Sequence, residues 1–508
     1  MREIAGRLGI DRKDIAGVVA LFAASRMLYW WLGVRFDTSP FPVFMQFIDE
    51  ELLTGRFLES IWYYHAHPPL LNVFVGIGKK VFGSEASAFF SVCHHALGVA
   101  LALCVYAMTH GLSASRLAAY AATALVVFSP SFVLYENWLM YCFPATALLT
   151  MAALALYRYA QTRTTRWCAA FFALLAVLLL TRSVFHLGWM FLIALLLVIV
   201  MRHHWKQVLV AAVVPFIVVA FWYGKNYYYF GSFSGSTMLG IGLSNITTLM
   251  VPAGDLMPLV QNGELSQYAL ISRYDHPDMW FSLDVTPDTG IAVLDTVKKK
   301  NWDDVYNFNH KQLVEVNRHY TRDGLEVMRR FPSYYVLDLA ISNRLFFSPS
   351  SMNPYFSAEN RAAVRPMERI LNPVLYGTDS SIRYVGRPHY GVLRTSPEAH
   401  MSVPLIVAWI LVLGYAYTQA RRAPMTKDPD VKARGILIGF IILSVLYIYA
   451  VSTTIELGEN NRYRFMTEPL FMVLAATAVT ELLRRARRVL PALRSAPGET
   501  GRSAGSSR

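Results

Sequence analysis

Residues 68–83 read PPLLNVFVGIGKKVFG, and whether this stretch crosses a membrane decides how the rest of the chain is threaded. It is apolar, but it is shorter than the ~20 residues that a bilayer core takes, and it carries Lys79 and Lys80. If it crossed, every later connection would change sides and RYAQTRTTR at 158–166 would face outward. Short cytoplasmic connections keep Lys and Arg, so the stretch reads as an interfacial or re-entrant helix.

Outward from it, the composition is that of an α-helical polytopic membrane protein. The 508 residues are 55% hydrophobic and 16% charged, with a mean hydropathy of +0.35, unlike a soluble domain of this length. Apolar runs lie at 15–34, 86–108, 117–133, 143–157, 167–180, 185–200, 208–223, 402–420, 435–451 and 465–483. These make about ten spans, several of them shorter than ~20 residues. The run from 167 to 200 is split by Thr181-Arg182-Ser183 and reads as two short spans turning at the outer surface.

The basic N-terminus, with Arg2, Arg7, Arg12 and Lys13, sits inside by the positive-inside rule. So do 109–116, 158–166, 202–206, 421–434 and the tail from Arg484, nearly all visibly basic. The net charge of +13 and pI near 9.5 are thereby accounted for by topology, with no nucleic-acid partner needed. Cys93, Cys104, Cys142 and Cys168 lie in or beside apolar runs without CxxC spacing, which argues against a disulfide framework or a zinc site.

Four regions follow. Residues 1–224 form a transmembrane module whose first external loop is 35–85. Residues 225–400 form an external domain, richer in Pro, Asp, Asn and Tyr. Residues 401–483 hold the last transmembrane helices, and 484–508 form a basic cytoplasmic tail whose Gly, Ser and Arg content reads as disorder. Within the external domain, Leu313, Val316, Tyr320, Leu325, Val327 and Met328 recur at helical spacing, which predicts helices joined by long loops.

The side chains able to do chemistry gather at the outer boundary of the spans. They are Asp49, Glu50 and Glu51; His65 and His67; Glu136; Arg182 and His186; Lys225 and Asn226; and Glu456, Glu459, Arg462 and Arg464. The middles of the spans hold almost no charge. A transporter or proton pump needs ionisable groups near the midplane. Acids and cations at one surface suit instead a substrate with its tail in lipid and its head in water. Transfer of a sugar from a polyprenyl phosphate to a hydroxyl is such a reaction: a carboxylate takes the hydroxyl proton and arginines neutralise the departing phosphate.

At these residues the chain resembles the polytopic lipid-phosphate-sugar glycosyltransferases of the GT-C superfamily, of the protein O-mannosyltransferase and aminoarabinose transferase type. DEE at 49–51 followed by HPPLLNVFVGIGKKVFG looks like their first external loop. LLLTRSVFH, KNYYYFGSF and NNRYRFMTEPLF are similar to later segments of those enzymes. The likeness covers 1–245 and 453–483, and YENWLMYCFP departs from it, leaving Glu136 as the acid nearest the family's aspartate. The resemblance implies Asp49 as general base, with Glu50 orienting it or helping to hold a divalent ion, Mg or Mn. Asp49 also suits the first turn of a helix.

His67, Glu136, Arg182, His186, Lys225, Arg462 and Arg464 are the expected substrate-binding residues, with the three arginines on the phosphate. The expected reaction inverts the anomeric carbon at the outer face of a bacterial inner membrane, onto a glycan, lipid or protein acceptor chosen by 226–400. A polyprenyl-pyrophosphate-glycan ligase or polymerase, a lipid-linked sugar flippase or transporter, and a non-catalytic assembly subunit are the other readings.

Overall fold

The computed structural model describes residues 10–284, 286–300, 304–377 and 401–494, and among them it is helical throughout apart from isolated bridges. Helices of six or more residues are numbered in chain order. They are α1 (Arg12–Trp31), α2 (Glu50–Gly55), α3 (Phe57–Trp62), α4 (Leu70–Phe82), α5 (Ala86–Ser113), α6 (Arg116–Phe128), α7 (Pro130–Glu136), α8 (Cys142–Thr162), α9 (Thr165–Leu179) and α10 (Leu187–Val200). After them come α11 (Trp205–Phe230), α12 (Leu239–Ile246), α13 (Ala253–Gln261), α14 (Gln312–Arg330), α15 (Pro332–Phe346), α16 (Ala358–Tyr376), α17 (Val403–Ala420), α18 (Pro429–Ile455), α19 (Asn460–Phe465) and α20 (Glu468–Arg494).

The ten apolar runs fall on helices, the run at 117–133 being divided between α6 and α7, and the chain is an α-helical polytopic membrane protein. By length and hydropathy alone, four helical stretches among the described residues suffice to cross a membrane, or five if the bent pair α6–α7 is one span. The rest of the expected ten are shorter, as α9 and α10 are, or carry charge, as α1 does at Asp14 and Arg26. The run from 167 to 200 does break at 181–186, between α9 and α10.

The stretch that decided the threading is α4. Its helix and α5 form one apolar stretch of 44 residues, Leu70–Ser113, but it is not one straight rod. Phe74 lies 5.1 Å from Phe90 and 6.4 Å from His94 between ring centroids. Residues 20 apart on a straight helix would be separated by about 30 Å, so α4 folds back along α5. Gly83 makes the turn at φ +52°, and a Cβ at Gly78 would meet Phe90 Cε1 at 2.2 Å. Only glycine permits so close a crossing.

The bundle is built around α8, most of whose residues are buried and which packs on α5, α9 and α18. Its Ala and Thr residues allow the close approach that helices need in lipid, where apolar contact alone gives little drive. Thr146 and Thr150 return their hydroxyl protons to carbonyls one turn back. On its other side, α1 is tied to α7 by a buried Arg26–Glu136 ion pair.

Helix α11 runs unbroken past residue 225 to Phe230, and Gly231 ends it at φ +69°. The expected disordered tail is helical as far as Arg494, since α20 continues through Arg484 to Arg494; 495–508 lie outside the described residues. The predicted periodicity at 313–328 is α14, which buries Leu313, Val316, Tyr320 and Val327.

Candidate functional site

Where the helical bundle meets the 231–377 region lies a cavity of about 1190 Å³, larger than the ~300–1000 Å³ typical of small-molecule sites. Segments distant in sequence supply its polar wall: Gln46 and His67, the 182–186 turn, Ser232 to Thr237, Arg273, the α14 face with Asn317, Arg318, Thr321 and Arg322, and the loop from Glu456 to Tyr463.

The HAHPP segment is held there from three directions. Asn309 accepts the backbone N–H of His65 and of Ala66 at 2.7 and 3.1 Å and donates to Tyr63 O at 3.1 Å. Lys225 donates through Nζ to the carbonyls of Trp62 and Tyr64 at 3.1 and 2.8 Å. The N–H of Leu70 donates to Leu180 O at 3.0 Å, which brings the start of α4 against the turn that carries Arg182. His65 is spent on this scaffold, its ring bonded to Thr237 and Asn309. His67 lines the cavity, and its buried Nε2 has no partner among the described residues. Burial and the arginines Arg182, Arg462 and Arg273 lower its pKa to about 3, so it is a neutral imidazole at physiological pH.

Arg182 is 3% exposed. Its guanidinium sits between the rings of Tyr141 and Tyr463, 4.3 and 4.5 Å from their centroids. Its Nη1 reaches the Cys142 sulfur at 3.8 Å, and its Nε has no partner among the described residues. Arg462, on α19, leans on the same two rings and pairs with Glu459, again with its Nε buried and unpartnered. Arg273 lies 3.5 Å from Glu456 Oε1. These three cations and the two acids leave a net charge of +1 on this side of the cavity, Arg318 and Arg322 of α14 line it as well, and the aromatic walls hold the guanidinium planes of Arg182 and Arg462 without neutralising them. Buried donors kept unpaired are expensive, and a site that keeps them is built for an anion.

The predicted residues divide on this geometry. His67, Arg182, His186 and Arg462 line the cavity; His186 also caps α10, its Nδ1 accepting from Gly188 N at 3.3 Å. Arg464 does not line it. Two residues on from Arg462, it faces the other side of α19 and is buried against Ser348 O, Ser350 Oγ and Glu468, at 2.7, 2.9 and 3.1 Å. Lys225 is the loop anchor described above, stacked 3.8 Å over Trp222. Glu136 is consumed by Arg26 inside the bundle.

Asp49 and Glu50, the expected base and its partner, stand apart from this cavity. Asp49 is the N-cap of α2: its Oδ1 accepts from Glu51 N and Leu52 N at 2.9 and 3.3 Å, and its Oδ2 from Lys300 N at 2.8 Å. It is 6% exposed and borders a separate crevice of about 70 Å³ with Lys299 and Lys300. Glu50 is exposed and pairs with Lys79 at 2.9 Å. A divalent ion does not fit this pair, because the Asp49 oxygens are taken by backbone N–H groups and Glu50 turns to a lysine. Among the described residues no group of three or more His, Cys, Asp or Glu side chains is placed to hold a metal.

Arg273, Glu456 and Glu459 complete the site. The two acids stood in the predicted boundary cluster without an assigned role. Arg273 carried no signal in the sequence: it precedes the turn-forming YDHPD and reaches the cavity only through the folding of the 231–377 region.

No family model matches the chain, and no curated protein matches it. Among the solved structures similar to it are two of ArnT from Cupriavidus metallidurans. One is in the apo state, at 13% identity and a TM-score of 0.32. The other is bound to undecaprenyl phosphate, at 14% identity and a TM-score of 0.33. Each alignment covers 95% of this chain and 81% of that one.

Proposed function

We propose that this protein transfers a sugar from a polyprenyl-phosphate donor to an acceptor hydroxyl at the outer face of a bacterial inner membrane, with inversion at the anomeric carbon. The observation that carries the reading is the convergence of Arg182, Arg273 and Arg462 on one cavity, two of them with buried Nε donors that have no partner among the described residues. A phosphate with charge developing on its bridging oxygen is the anion such a site stabilises best, because the donors are already oriented and dehydrated. The neutral His67 adds one ring nitrogen that can accept from or donate to the sugar.

The position of the arginines fits a lipid-borne phosphate. Helix α9, with 15 residues, rises about 22 Å, short of the ~30 Å hydrocarbon core. With α9 starting at the inner boundary, as its basic flank 158–166 fits, the turn that carries Arg182 would end below the level that a full-length span reaches. A donor whose tail stays in lipid would bring its phosphate to that depth, and the apolar flank of the cavity, with Val184, Tyr447 and Val451, would receive the first part of the tail.

The test uses the purified protein in lipid nanodiscs with a panel of polyprenyl-phosphate sugars and membrane extract as acceptor. Wild type is expected to bind undecaprenyl phosphate and to consume one donor of the panel. Arg182→Ala and Arg462→Ala should each weaken binding about 10- to 100-fold, the worth of one charge-assisted hydrogen bond or two. Binding of donor with no turnover by wild type would favour a transporter instead.

A further inference from the structure

Beside the main cavity, and sharing Arg273 with it, lies a second one of about 240 Å³. On the ~30 Å³ share of a liquid water, it holds roughly eight water-sized groups, enough for one sugar-sized head. Its polar lining is Ser244, Asn245, Thr248 and Ser272. Ser244 and Thr248 give their hydroxyl protons to the carbonyls of Ile241 and Ser244, both at 3.0 Å, and Ser272 accepts from Tyr274 N at 3.1 Å. Asn245 is 1% exposed, and its buried Oδ1 has no partner among the described residues. The lining thus offers acceptor lone pairs and asks for donors. A ligand rich in hydroxyls meets that demand; an ammonium would also donate but would face Arg273.

Asn245 links this cavity to the first. Its Nδ2 donates to Glu456 Oε1 at 3.1 Å, and Leu457 N donates to the same oxygen at 3.2 Å. Glu456 Oε2 takes neither bond and lies near Gly242, which lines the main cavity with Glu456 itself. One carboxylate oxygen is therefore fixed by the wall between the cavities, and the other is left for chemistry.

We propose that the smaller cavity is the acceptor subsite, binding a polyol or sugar head, and that Glu456 at its threshold takes the proton of the attacking hydroxyl. This rests on the transferase reading above. In the step, the acceptor oxygen bonds to the anomeric carbon while the bond from that carbon to the phosphate oxygen breaks. The bonding pair leaves with the phosphate, which Arg182 and Arg462 neutralise. The hydroxyl proton passes to Glu456, and the products are the glycosylated acceptor and the polyprenyl phosphate. Asp49 has no part in it, since its oxygens are held by backbone N–H groups away from the cavity.

The experiment uses the full chain in nanodiscs and measures both undecaprenyl phosphate affinity and donor turnover with membrane extract. Glu456→Gln should lower turnover by about 100-fold or more, the range of a lost general base, and keep the wild-type affinity for undecaprenyl phosphate. Ala253→Trp, at the exposed rim of the smaller cavity, should raise the apparent acceptor KM at least about tenfold, again with affinity for undecaprenyl phosphate unchanged. Wild-type turnover in Glu456→Gln, or an unmoved acceptor KM in Ala253→Trp, would overturn the proposal. Failure of the wild type itself to bind undecaprenyl phosphate would instead remove the transferase reading on which it rests.

Discussion

Two charged clusters of similar composition occupy the first and last loops of this protein. In the first, Asp49, Glu50 and Glu51 meet Lys79 and Lys300: the aspartate caps a helix, and each glutamate pairs with one lysine. In the last, Glu456, Glu459 and Arg462 meet Arg182 and Arg273 around a large cavity. The first cluster is satisfied and mostly exposed; in the second, Arg182 and Arg462 are buried, and each keeps a guanidinium nitrogen without a partner among the described residues. Charged residues at a membrane edge do not by themselves mark a site. Unsatisfied buried donors facing an open volume do, because folding bears their desolvation only where something else will bind.

The comparison can be broken by mutation. The greatest loss of stability belongs to neither cluster. Arg464→Leu, removing a buried cation bonded to Ser348, Ser350 and Glu468, should destabilise by about 3 kcal/mol. That is read as a fall in Tm in nanodiscs. Arg462→Ala, two residues away, should instead act on the ligand, raising the Kd for undecaprenyl phosphate with a smaller fall in Tm.

The pH profile distinguishes the acids. Burial raises the pKa of Glu456, and Arg273 opposes the shift without cancelling it; Glu459, Arg462 and Asn245 are its other polar neighbours. A base works deprotonated, so kcat/KM should rise with pH along an acid limb displaced above that of an ordinary glutamate. Glu456→Gln should abolish this limb. A limb that survives in Glu456→Gln and disappears in Asp49→Asn would return the base to the first loop.

Smaller effects are expected there. Asp49→Ala should cost about 1–2 kcal/mol, the loss of a cap. Asp49→Asn, which still caps, should leave turnover within about threefold. Glu50→Gln loses only an exposed pair with Lys79 and should move stability by less than about 0.5 kcal/mol.

How far the sequence reached can be judged residue by residue. Arg462 was legible because a cation at an expected outward boundary runs against the positive-inside trend, and Arg182 because it splits the apolar run from 167 to 200. Asp49 caps a helix in the fold, and the sequence does not separate that role from a catalytic one: an acid opening a helix and an acid in a catalytic loop both follow a span and precede a helical pattern. Arg464 could not be separated from Arg462 without the axis of α19, which puts residues i and i+2 on different faces. Arg273 lies in a turn-rich segment with no periodicity, and a contact with Glu456, 183 positions later in the chain, leaves no local trace.

By itself the sequence determined that the chain is helical and membrane-embedded, and where its helices run. Those are consequences of hydropathy, length and charge, which act within a few turns of helix. The tertiary structure decided which charges meet. It folded α4 back on α5, clamped the HAHPP segment with Asn309 and Lys225, and brought Arg273 from the 231–377 region against the last loop. Convergence of that kind depends on packing between distant segments, and the worth of each charge depends on the water that packing removes.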